Sequence, residues 1–458
     1  MKFEKYLNVI DRQAEVCCGI SDALWDHPEL GFQEYEAVAL ITKTLEEFGF
    51  EIERNLAGIP TAFSATFGTG KPAFGILAEY DALPGMSQEA YTAEQRPVPG
   101  KDTSHGCGHN LFAGGSVAAA LAVKAYIEEK GCGSVTLFGC PAEEGGGGKV
   151  FLAKAGVFDG IDAIVSWHPE SMYMVRTRPA LANYKVDYFF EGVAAHAGAA
   201  PEKGRSALDA LELMNIGVNF LREHMELTSR IHYAILDTGG TAPNMVQSHA
   251  SVRYMIRSVD LDTVRDLFGR VNRIAQGAAM MTDTTVTSKV YSAYSNLITI
   301  PTLQATANEA LHDIPIPMPT EEDLAYAEAL QATMNLTDAQ KKRPPYALKA
   351  LEPAPPVAHG GSTDTADVSW VCPTVQMHIG TWMVGTPGHS WQAVSQCKSP
   401  YAKRAMLFAG KAVAGTILRL FENPELVRQA KEEHWEKTEP GYVCPLPDGV
   451  TYLDALAE

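Results

Sequence analysis

Short apolar runs alternate with helical segments through the first part of the chain. Five runs are rich in β-branched and aromatic residues: AFSATF, PAFGILA, SVTLFGC, DAIVSW and, much later, VQMHI. Segments with helical character separate them, such as LFAGGSVAAALAVKAYIEEK. Apolar strands that alternate with helices are typical of a sheet covered by helices on both faces. This pattern predicts an α/β domain.

The pattern changes between residues 184 and 296. Four runs there resemble half-buried strands: YKVDYFFEG, RIHYAILDTGG, ASVRYMIRS and TTVTSKVYSAY. Helices are expected near 206–225 and 260–278. An antiparallel sheet with helices on one face is a separate α+β module. We therefore predict one domain formed by 1–183 and 297–458, with a second domain, 184–296, inserted into it.

Three local signals refine this outline. Residues 4–24 predict an amphipathic helix, which Pro28 ends, and 34–48 predict a second helix that stops at Gly49. Within the span 301–358, the proline-dense KKRPPYALKALEPAPP predicts a loop or an arm rather than core.

Composition narrows the class of protein. With 458 residues, 46% hydrophobic and 20% charged, the chain has the make-up of a soluble globular protein, and its net charge of −18 argues against nucleic acid or an anionic membrane as the main partner. No signal-peptide run and no charge-free stretch long enough to span a bilayer is visible. Eight cysteines do not form a disulfide framework, and Cys132, Cys140 and Cys372 are expected to be buried thiols. We therefore expect a cytoplasmic protein.

Candidate chemistry follows the apolar runs. In open α/β sheets, ligands bind beyond the carboxyl ends of the strands. The residues at such positions, together with the SHGCGHN loop, are Glu79, Asp81, Cys107, His109, Glu143, Glu144, His168 and His389. Each alone has a simpler interpretation, such as a helix N-terminus or a turn. Together they form a set of thiol, imidazole and carboxylate groups that suits two zinc ions or other borderline metals.

The adjacent glutamates indicate hydrolysis. Neighbouring side chains in a loop diverge, so one carboxylate can bind a metal while the other takes a proton from the attacking water and returns it to the leaving amine. The chain lacks the Gly-x-Ser-x-Gly motif of serine hydrolases, and the Cys-Gly-His loop lacks the Cys-x-x-Cys spacing of a redox site.

With these residues in place, the chain resembles the dinuclear-metal peptidases and amidohydrolases that include carboxypeptidase G, aminoacylase and the plant auxin-conjugate hydrolases. Within them it is most similar to the Cys-Gly-His subfamily. The motifs that carry the resemblance span almost the whole chain in order: HPELGFQE, EYDALPG, HGCGHN, PAEEGGGG, WHPE, HAGAAPEKGRSALDAL, GTAPNMVQ, GGSTDTADVSW and GTPGHSWQ. Two positions depart from the usual subfamily pattern, since Asn110 and Glu79 stand where aspartates are usual.

The resemblance implies a fold and a role for each matching residue. The fold is a three-layer α/β/α catalytic domain with a mixed, mostly parallel sheet, plus an inserted α+β lid and dimerisation domain. The metal ligands would be Cys107, His109, Glu144, His168 and His389. Glu143 would be the general base and then the general acid, Asp81 would orient a histidine ligand, and His196 would stabilise the oxyanion.

Three residues further along the chain would contact the substrate. These are Asn244, Arg257 and Gly361. Arg253, on the same predicted strand as Arg257, is expected to form a structural pair instead. His105 has no role in the family, and we expect a solvated loop histidine with a local hydrogen bond.

The implied activity is hydrolysis of the amide bond in an N-acyl or N-aroyl amino acid, and the leading candidate substrates are p-aminobenzoyl-glutamate-like compounds. The implied cofactors are two divalent metal ions, and zinc and manganese are the leading candidates. A homodimer through the inserted domain is expected, with assembly on a related subunit as a further option. Two alternatives stay open: a dinuclear metallo-dipeptidase or aminopeptidase, and a partner chain of a hetero-oligomeric amidohydrolase.

Overall fold

The computed structural model describes residues 2–344, 361–439 and 441–456, which form two compact units. Within the described residues, the first unit comprises 2–178, 298–344 and the greater part of 368–442. The second comprises 179–297, 361–367 and 443–456. Each unit has its own sheet.

The sheet of the first unit is mixed. Its seven strands, in spatial order, are Glu51–Arg54, Phe63–Thr69, Gly133–Gly139, Ala73–Ala78, Ala163–Glu170, Thr374–Gly380 and Met174–Val175. The four strands from Gly133–Gly139 to Thr374–Gly380 pair in parallel, and the flanking pairs are antiparallel. The predicted mixed α/β sheet is therefore confirmed, with its parallel part at the centre. Every residue of Ala73–Ala78 and Gly133–Gly139 is buried, which explains why these strands are continuous apolar runs.

The remaining elements of this unit are mainly helices. They are Glu4–Arg12, Ala14–Asp26, Tyr35–Glu47, His109–Lys130, Gly148–Lys154, Pro301–Asp313, Glu321–Gln331, Asp338–Lys341, Trp391–Gln396, Pro400–Glu422 and Pro424–Thr438, with the short strand pair Leu83–Pro84 and Thr103–Ser104. The chain also forms the helix Thr365–Val371. The helix predicted over 4–24 is two helices that break at Gln13. The second predicted helix ends just before Gly49, whose φ of 83° suits a helix terminus.

The helix His109–Lys130 is the central core helix. It packs along Pro400–Glu422 at a glycine, because a Cβ on Gly115 would lie 2.6 Å from the Trp167 ring and 3.1 Å from the Met406 carbonyl oxygen. This helix is long and apolar enough to cross a membrane, but 89% of its most apolar window is buried within the protein. Its apolar composition is therefore explained by packing.

The second unit is an α+β module, as predicted. Its antiparallel sheet has the order Arg230–Asp237, His249–Ser258, Ala182–Glu191 and Thr285–Tyr294. The helices of this unit are Ala207–Leu221, Leu261–Thr282 and the terminal Tyr452–Leu456. The side chains of Ser206 and Asp260 cap the first two, which accounts for where they begin. A two-residue strand pair, Ala195–His196 with Met245–Val246, stands apart from this sheet.

One local prediction is wrong, and another lies partly outside the described residues. Cys140 and Cys372 are buried as expected, but Cys132 is exposed because it follows the left-handed Gly131 that ends the core helix. The predicted proline-dense arm begins inside the short helix Asp338–Lys341, and its residues from 345 onward lie outside the described residues.

Candidate metal centre

The central parallel strands bring the predicted site residues to one edge of the sheet. Glu79 and Asp81 follow Ala73–Ala78, and the adjacent glutamates follow Gly133–Gly139. His168 lies inside the strand Ala163–Glu170 rather than after it. Because parallel strands share their carboxyl edge, residues far apart in sequence meet there.

The Cys-Gly-His loop places His109 at the first position of the core helix. Gly108 precedes it with φ of 78°, and a Cβ there would lie 2.9 Å from Cβ of Pro169, so the turn requires glycine. His109 is fully buried, and its Nδ1 lies 2.8 Å from Oδ1 of Asp81. This contact assigns the proton to Nδ1 and leaves the Nε2 lone pair for a metal.

Asp81 holds two parts of the site at once. Its other oxygen, Oδ2, accepts the backbone N–H of Glu144 at 2.9 Å. A single buried carboxylate thus orients the imidazole of His109 and the backbone that carries the paired glutamates. This geometry supports the positioning role that the resemblance implies for Asp81.

Potential ligand atoms gather in two overlapping groups. One group is Cys107, His109 and His168, and the other is Cys107, Glu144 and His389; within each group the atoms lie within 4.8 Å of one another. The groups share the Cys107 sulfur and together contain all five predicted ligands. Two ligand groups that overlap at one sulfur could hold two metal ions close together, as two-metal hydrolytic sites do.

His389 lies on the open side of the centre. Its φ of 54° is unusual for a residue other than glycine, and its N–H donates to the carbonyl of Gly106 at 3.1 Å. Its Nε2 lies 3.3 Å from Oε2 of Glu144, and its side chain is half exposed. The loop is therefore held in a strained conformation that points the imidazole at a largely buried carboxylate.

Unpaired buried atoms indicate that these residues fit metal ions. Nε2 of His109, Oε1 of Glu144 and Oε2 of Glu79 are buried without a hydrogen bond to the described residues, although Nε2 of His109 lies 3.2 Å from Oε2 of Glu79 and 4.0 Å from Oε1 of Glu144. Leaving such atoms unpaired is costly unless another group binds them. Each atom belongs to a residue of a ligand group, since Glu79 forms a third group with His109 and Glu143. Divalent cations would satisfy all three.

The electrostatics agree with this fit. Burial and the charge of Glu144 raise the pKa of the Cys107 thiol well above its usual value, so a cation is needed to stabilise the thiolate. Burial lowers the pKa of His168 and keeps the imidazole neutral, as a ligand must be. Its Nδ1 lies 2.6 Å from the carbonyl oxygen of Pro169, which leaves Nε2 facing the Cys107 sulfur at 3.6 Å.

His109 is the electrostatic centre of the group. Burial by itself lowers its pKa, but the charge of Asp81 and the hydrogen bond to it act in the opposite direction, and the pKa is held well above its usual value. The surroundings therefore favour positive charge at this point. A bound cation would supply the same charge.

Sequence patterns did not reveal three charged residues around the centre. Lys149 is fully buried, with Nζ 2.7 Å from Oε1 of Glu79. Glu34 is buried and accepts the Ala142 N–H at 2.8 Å. Arg176 is partly buried after the strand Met174–Val175. Glu34 stands in the HPELGFQE motif, which was a usable signal, but no periodicity marked the other two.

The prediction for His105 is wrong. The residue is 2% exposed, and its Nε2 lies 3.1 Å from the carbonyl oxygen of Leu24, which is 81 positions earlier. Burial lowers its pKa to about 4. His105 is therefore a neutral core histidine rather than a solvated loop residue.

The second unit carries the other predicted residues. His196 and Asn244 are exposed neighbours at the short strand pair, where the Ala197 N–H donates to the Asn244 carbonyl at 2.9 Å. Arg257 is partly buried on the strand His249–Ser258, and its Nε has no hydrogen-bond partner among the described residues. Gly361 is exposed, and its carbonyl accepts the Leu181 N–H.

Arg253 forms the structural pair that was expected. Its Nε and one terminal nitrogen donate to the two carboxylate oxygens of Asp187 at 2.7 and 2.9 Å. Its guanidinium also lies over the ring of Tyr291. This prediction is confirmed, and Arg253 is accounted for within the sheet.

Comparison with known proteins decides the family. The family model described as peptidase family M20/M25/M40 matches residues 75–339. The chain belongs to this family. A relative from Escherichia coli (strain K12), which is a p-aminobenzoyl-glutamate hydrolase subunit, is 42% identical over 455 residues, covering 94% of this chain and 95% of the relative. The Xaa-Arg dipeptidase of Mus musculus is 29% identical, and the match covers 93% of this chain and 90% of that relative.

A solved structure agrees at the level of the fold. A Bacillus subtilis protein described as a dinuclear metal binding peptidase of the M20 family superposes with a TM-score of 0.56 at 20% identity, covering 88% of this chain and 98% of that one. The resemblance drawn from the motifs is confirmed. So is the class of protein: a metal-dependent amidohydrolase or peptidase.

Proposed function

We propose that this protein hydrolyses the amide bond of N-aroyl or N-acyl amino acids, with p-aminobenzoyl-glutamate as the first candidate substrate. The observation that carries the proposal is the pair of ligand groups that share Cys107 beside the partly exposed Glu143. The substrate class comes from the relative that is 42% identical and named for p-aminobenzoyl-glutamate hydrolysis. We propose zinc or manganese as the metal, because the donors are thiol, imidazole and carboxylate.

The chemistry divides between the metals and the chain. Two bound divalent ions would lower the pKa of a water molecule and polarise the amide carbonyl. Glu143 accepts the proton of the attacking water and passes it to the leaving nitrogen. Asp81 keeps the His109 imidazole in the tautomer that binds metal.

The residues of the second unit keep their proposed roles. His196 is the proposed oxyanion donor, and its local contacts support this: Nδ1 accepts the N–H groups of Gly198 and Ala199 at 3.2 and 3.1 Å. The proton therefore resides on Nε2, which can donate. Asn244, Arg257 and Gly361 remain proposed substrate contacts.

The sharpest test of the mechanism is Glu143→Gln. We expect hydrolysis to fall by about 10³-fold or more, because proton transfer is lost, while two metal ions per chain stay bound. Turnover and metal content should be measured on the same sample. The exposed Glu89→Gln is the control and should change neither quantity. Near-normal turnover by Glu143→Gln would overturn the assignment.

A substrate screen separates the proposed activity from its alternatives. The metal-loaded protein should be offered p-aminobenzoyl-glutamate, N-acetyl and N-benzoyl amino acids, and dipeptides with a free amine. Preference for acyl amino acids supports the proposal. Preference for dipeptides would favour the dipeptidase alternative, for which the similarity to a Xaa-Arg dipeptidase is the specific reason. No cleavage of any substrate would favour a partner chain that needs a second protein for activity.

We also propose a homodimer through the inserted domain, in the cytoplasm. The edge strand Arg230–Asp237 exposes Tyr233, Ile235 and Leu236, and an apolar edge invites pairing with a second strand. Because the Escherichia coli relative is named as one subunit of its hydrolase, association with a related chain stays open. The eight free cysteines suit a reducing compartment.

A further inference from the structure

Arg176 is a partly buried arginine whose hydrogen-bond partners are all neutral. Its Nη1 donates to the side-chain oxygen of Gln376 at 2.8 Å, and its Nε donates to the carbonyl of Arg178 at 3.3 Å. Among the described residues, no carboxylate comes within ion-pair distance of the guanidinium. Since a guanidinium carries five N–H donors, most of them remain available.

Arg176 lies in the first unit, and one strand separates it from the strand that carries the proposed ligand His168. It directly follows the strand Met174–Val175, which pairs with Thr374–Gly380. Gln376 and His378 lie on the same face of that second strand, and the His378 ring is 6.3 Å from the ring of the proposed ligand His168. Burial lowers the pKa of Arg176, while the charges of Glu143 and Glu170 raise it, so the general base is within electrostatic range.

A charge that is withdrawn from solvent without an ionic partner is unfavourable for folding. Ionisable groups that burial perturbs are concentrated at functional sites, where a ligand can supply the missing partner. The planar fork of arginine matches a carboxylate, which it binds through two parallel hydrogen bonds. A phosphate would also fit the fork, but the amide hydrolysis proposed above provides a carboxylate on the carbon atom next to the scissile nitrogen.

We propose that Arg176 binds the carboxylate of the amino-acid part of the substrate and so selects anionic acyl amino acids over neutral amides. This inference rests on the proposed function. It differs from the earlier expectation for Arg257, because Arg176 belongs to the same unit as the metal ligands. The alternative is a structural role, in which Arg176 only links the Gln376 side chain to the backbone at Arg178.

The test compares Arg176→Met with Arg178→Met in the metal-loaded full chain. Arg178 is exposed and contributes only its backbone carbonyl to the contact, so it is a matched control. Two substrates are used: p-aminobenzoyl-glutamate, and the same compound with both carboxylates converted to carboxamides. We expect Arg176→Met to lower kcat/KM for the acid by about 100-fold or more, to change it little for the amide, and to leave the metal content intact.

Thermal unfolding distinguishes a binding role from a structural role. Without ligand, Arg176→Met should unfold at the same temperature as the parent or higher, because a partly desolvated charge without an ionic partner has been removed. A structural role predicts a lower unfolding temperature and an equal loss of activity on both substrates. That pair of results would overturn the proposal.

A binding measurement tests the role of Arg176 even if the protein does not hydrolyse these compounds. If the parent protein cleaves neither compound, binding of p-aminobenzoyl-glutamate to the metal-loaded chain, measured by calorimetry, still tests Arg176. Binding that is lost in Arg176→Met but kept in Arg178→Met supports the carboxylate site. Equal binding by the parent and both variants contradicts it.

Discussion

At the scale of single residues, the candidate metal centre contains charged side chains that are buried. Lys149 and Glu79 form an ion pair that is almost completely excluded from solvent, and the second oxygen of Glu79 lies 3.2 Å from Nε2 of His109. Breaking a buried pair is costly because it leaves one charge without compensation. A cation beside His109 would provide that compensation.

We therefore expect Lys149→Met to lower the free energy of unfolding by about 3–5 kcal/mol in metal-free protein. Divalent metal should reduce this difference, since the ion can compensate the Glu79 carboxylate. Urea unfolding of chelated and metal-loaded samples measures both quantities. Lys43→Met, which removes an exposed i,i+4 pair with Glu47, is the control and should cost much less. The same loss with and without metal would argue against a metal near Glu79.

At the scale of elements, one buried carboxylate connects a helix to the loop that carries Glu143 and Glu144. Glu34 directly precedes the helix Tyr35–Glu47 and accepts the N–H of Ala142, which has a φ of 56°. The carbonyl of Ala142 in turn accepts the N–H groups of Gly146 and Gly147. The loop that carries the paired glutamates is thus held by a residue about a hundred positions earlier.

This contact predicts a pH dependence of stability. Burial raises the pKa of Glu34 to about 8. The stabilisation linked to the protonated form is complete below the pKa of the unfolded chain, about 4.3, and is lost as the pH rises through 8. Glu34→Gln keeps the acceptor oxygen but cannot ionise. Its free energy of unfolding relative to the parent should therefore rise between pH 5 and pH 8.5, by on the order of 4 kcal/mol.

Denaturant unfolding of metal-free samples at the two pH values provides the measurement. Glu36→Gln, an exposed change two residues away, is the matched control. A Glu34→Gln difference that stays constant with pH would mean that the carboxyl group is already ionised without cost.

At the scale of the whole molecule, the exposed sheet edge predicts assembly. Tyr233 and Ile235 lie on the same face of the edge strand and are 39% and 45% exposed, so this face of the edge is apolar. Ile235→Lys should convert the proposed dimer to monomers with the fold intact, because a lysine buried in the interface opposes strand pairing. Sedimentation velocity and circular dichroism measure the two properties.

Met280→Lys is the control for this prediction. Met280 is 83% exposed on the helix Leu261–Thr282, away from the strand edge in sequence. Its substitution should leave the sedimentation coefficient unchanged. A dimer that survives Ile235→Lys would exclude this edge as the interface, and dissociation by Met280→Lys would move the interface to the helix.

The family, the two kinds of sheet and the candidate ligands could all be predicted from the sequence. This was possible because those features are local: buried strands are apolar runs, and Cys107, His109, Glu143 and Glu144 stand within short motifs after them. His105 shows the limit, since it belongs to the same loop as Cys107 but is a core residue.

Which charged residues surround the candidate metal centre became clear from the fold alone. Glu34 meets Ala142 across 108 positions, and Arg176 meets Gln376 across 200. Such contacts depend on the spatial order of the strands in the sheet. A local pattern of polar and apolar residues does not predict that order. A lysine, glutamate or arginine in the sequence predicts a solvated surface. The fold instead buries Lys149 against the Glu79 carboxylate, beside the candidate ligand His109.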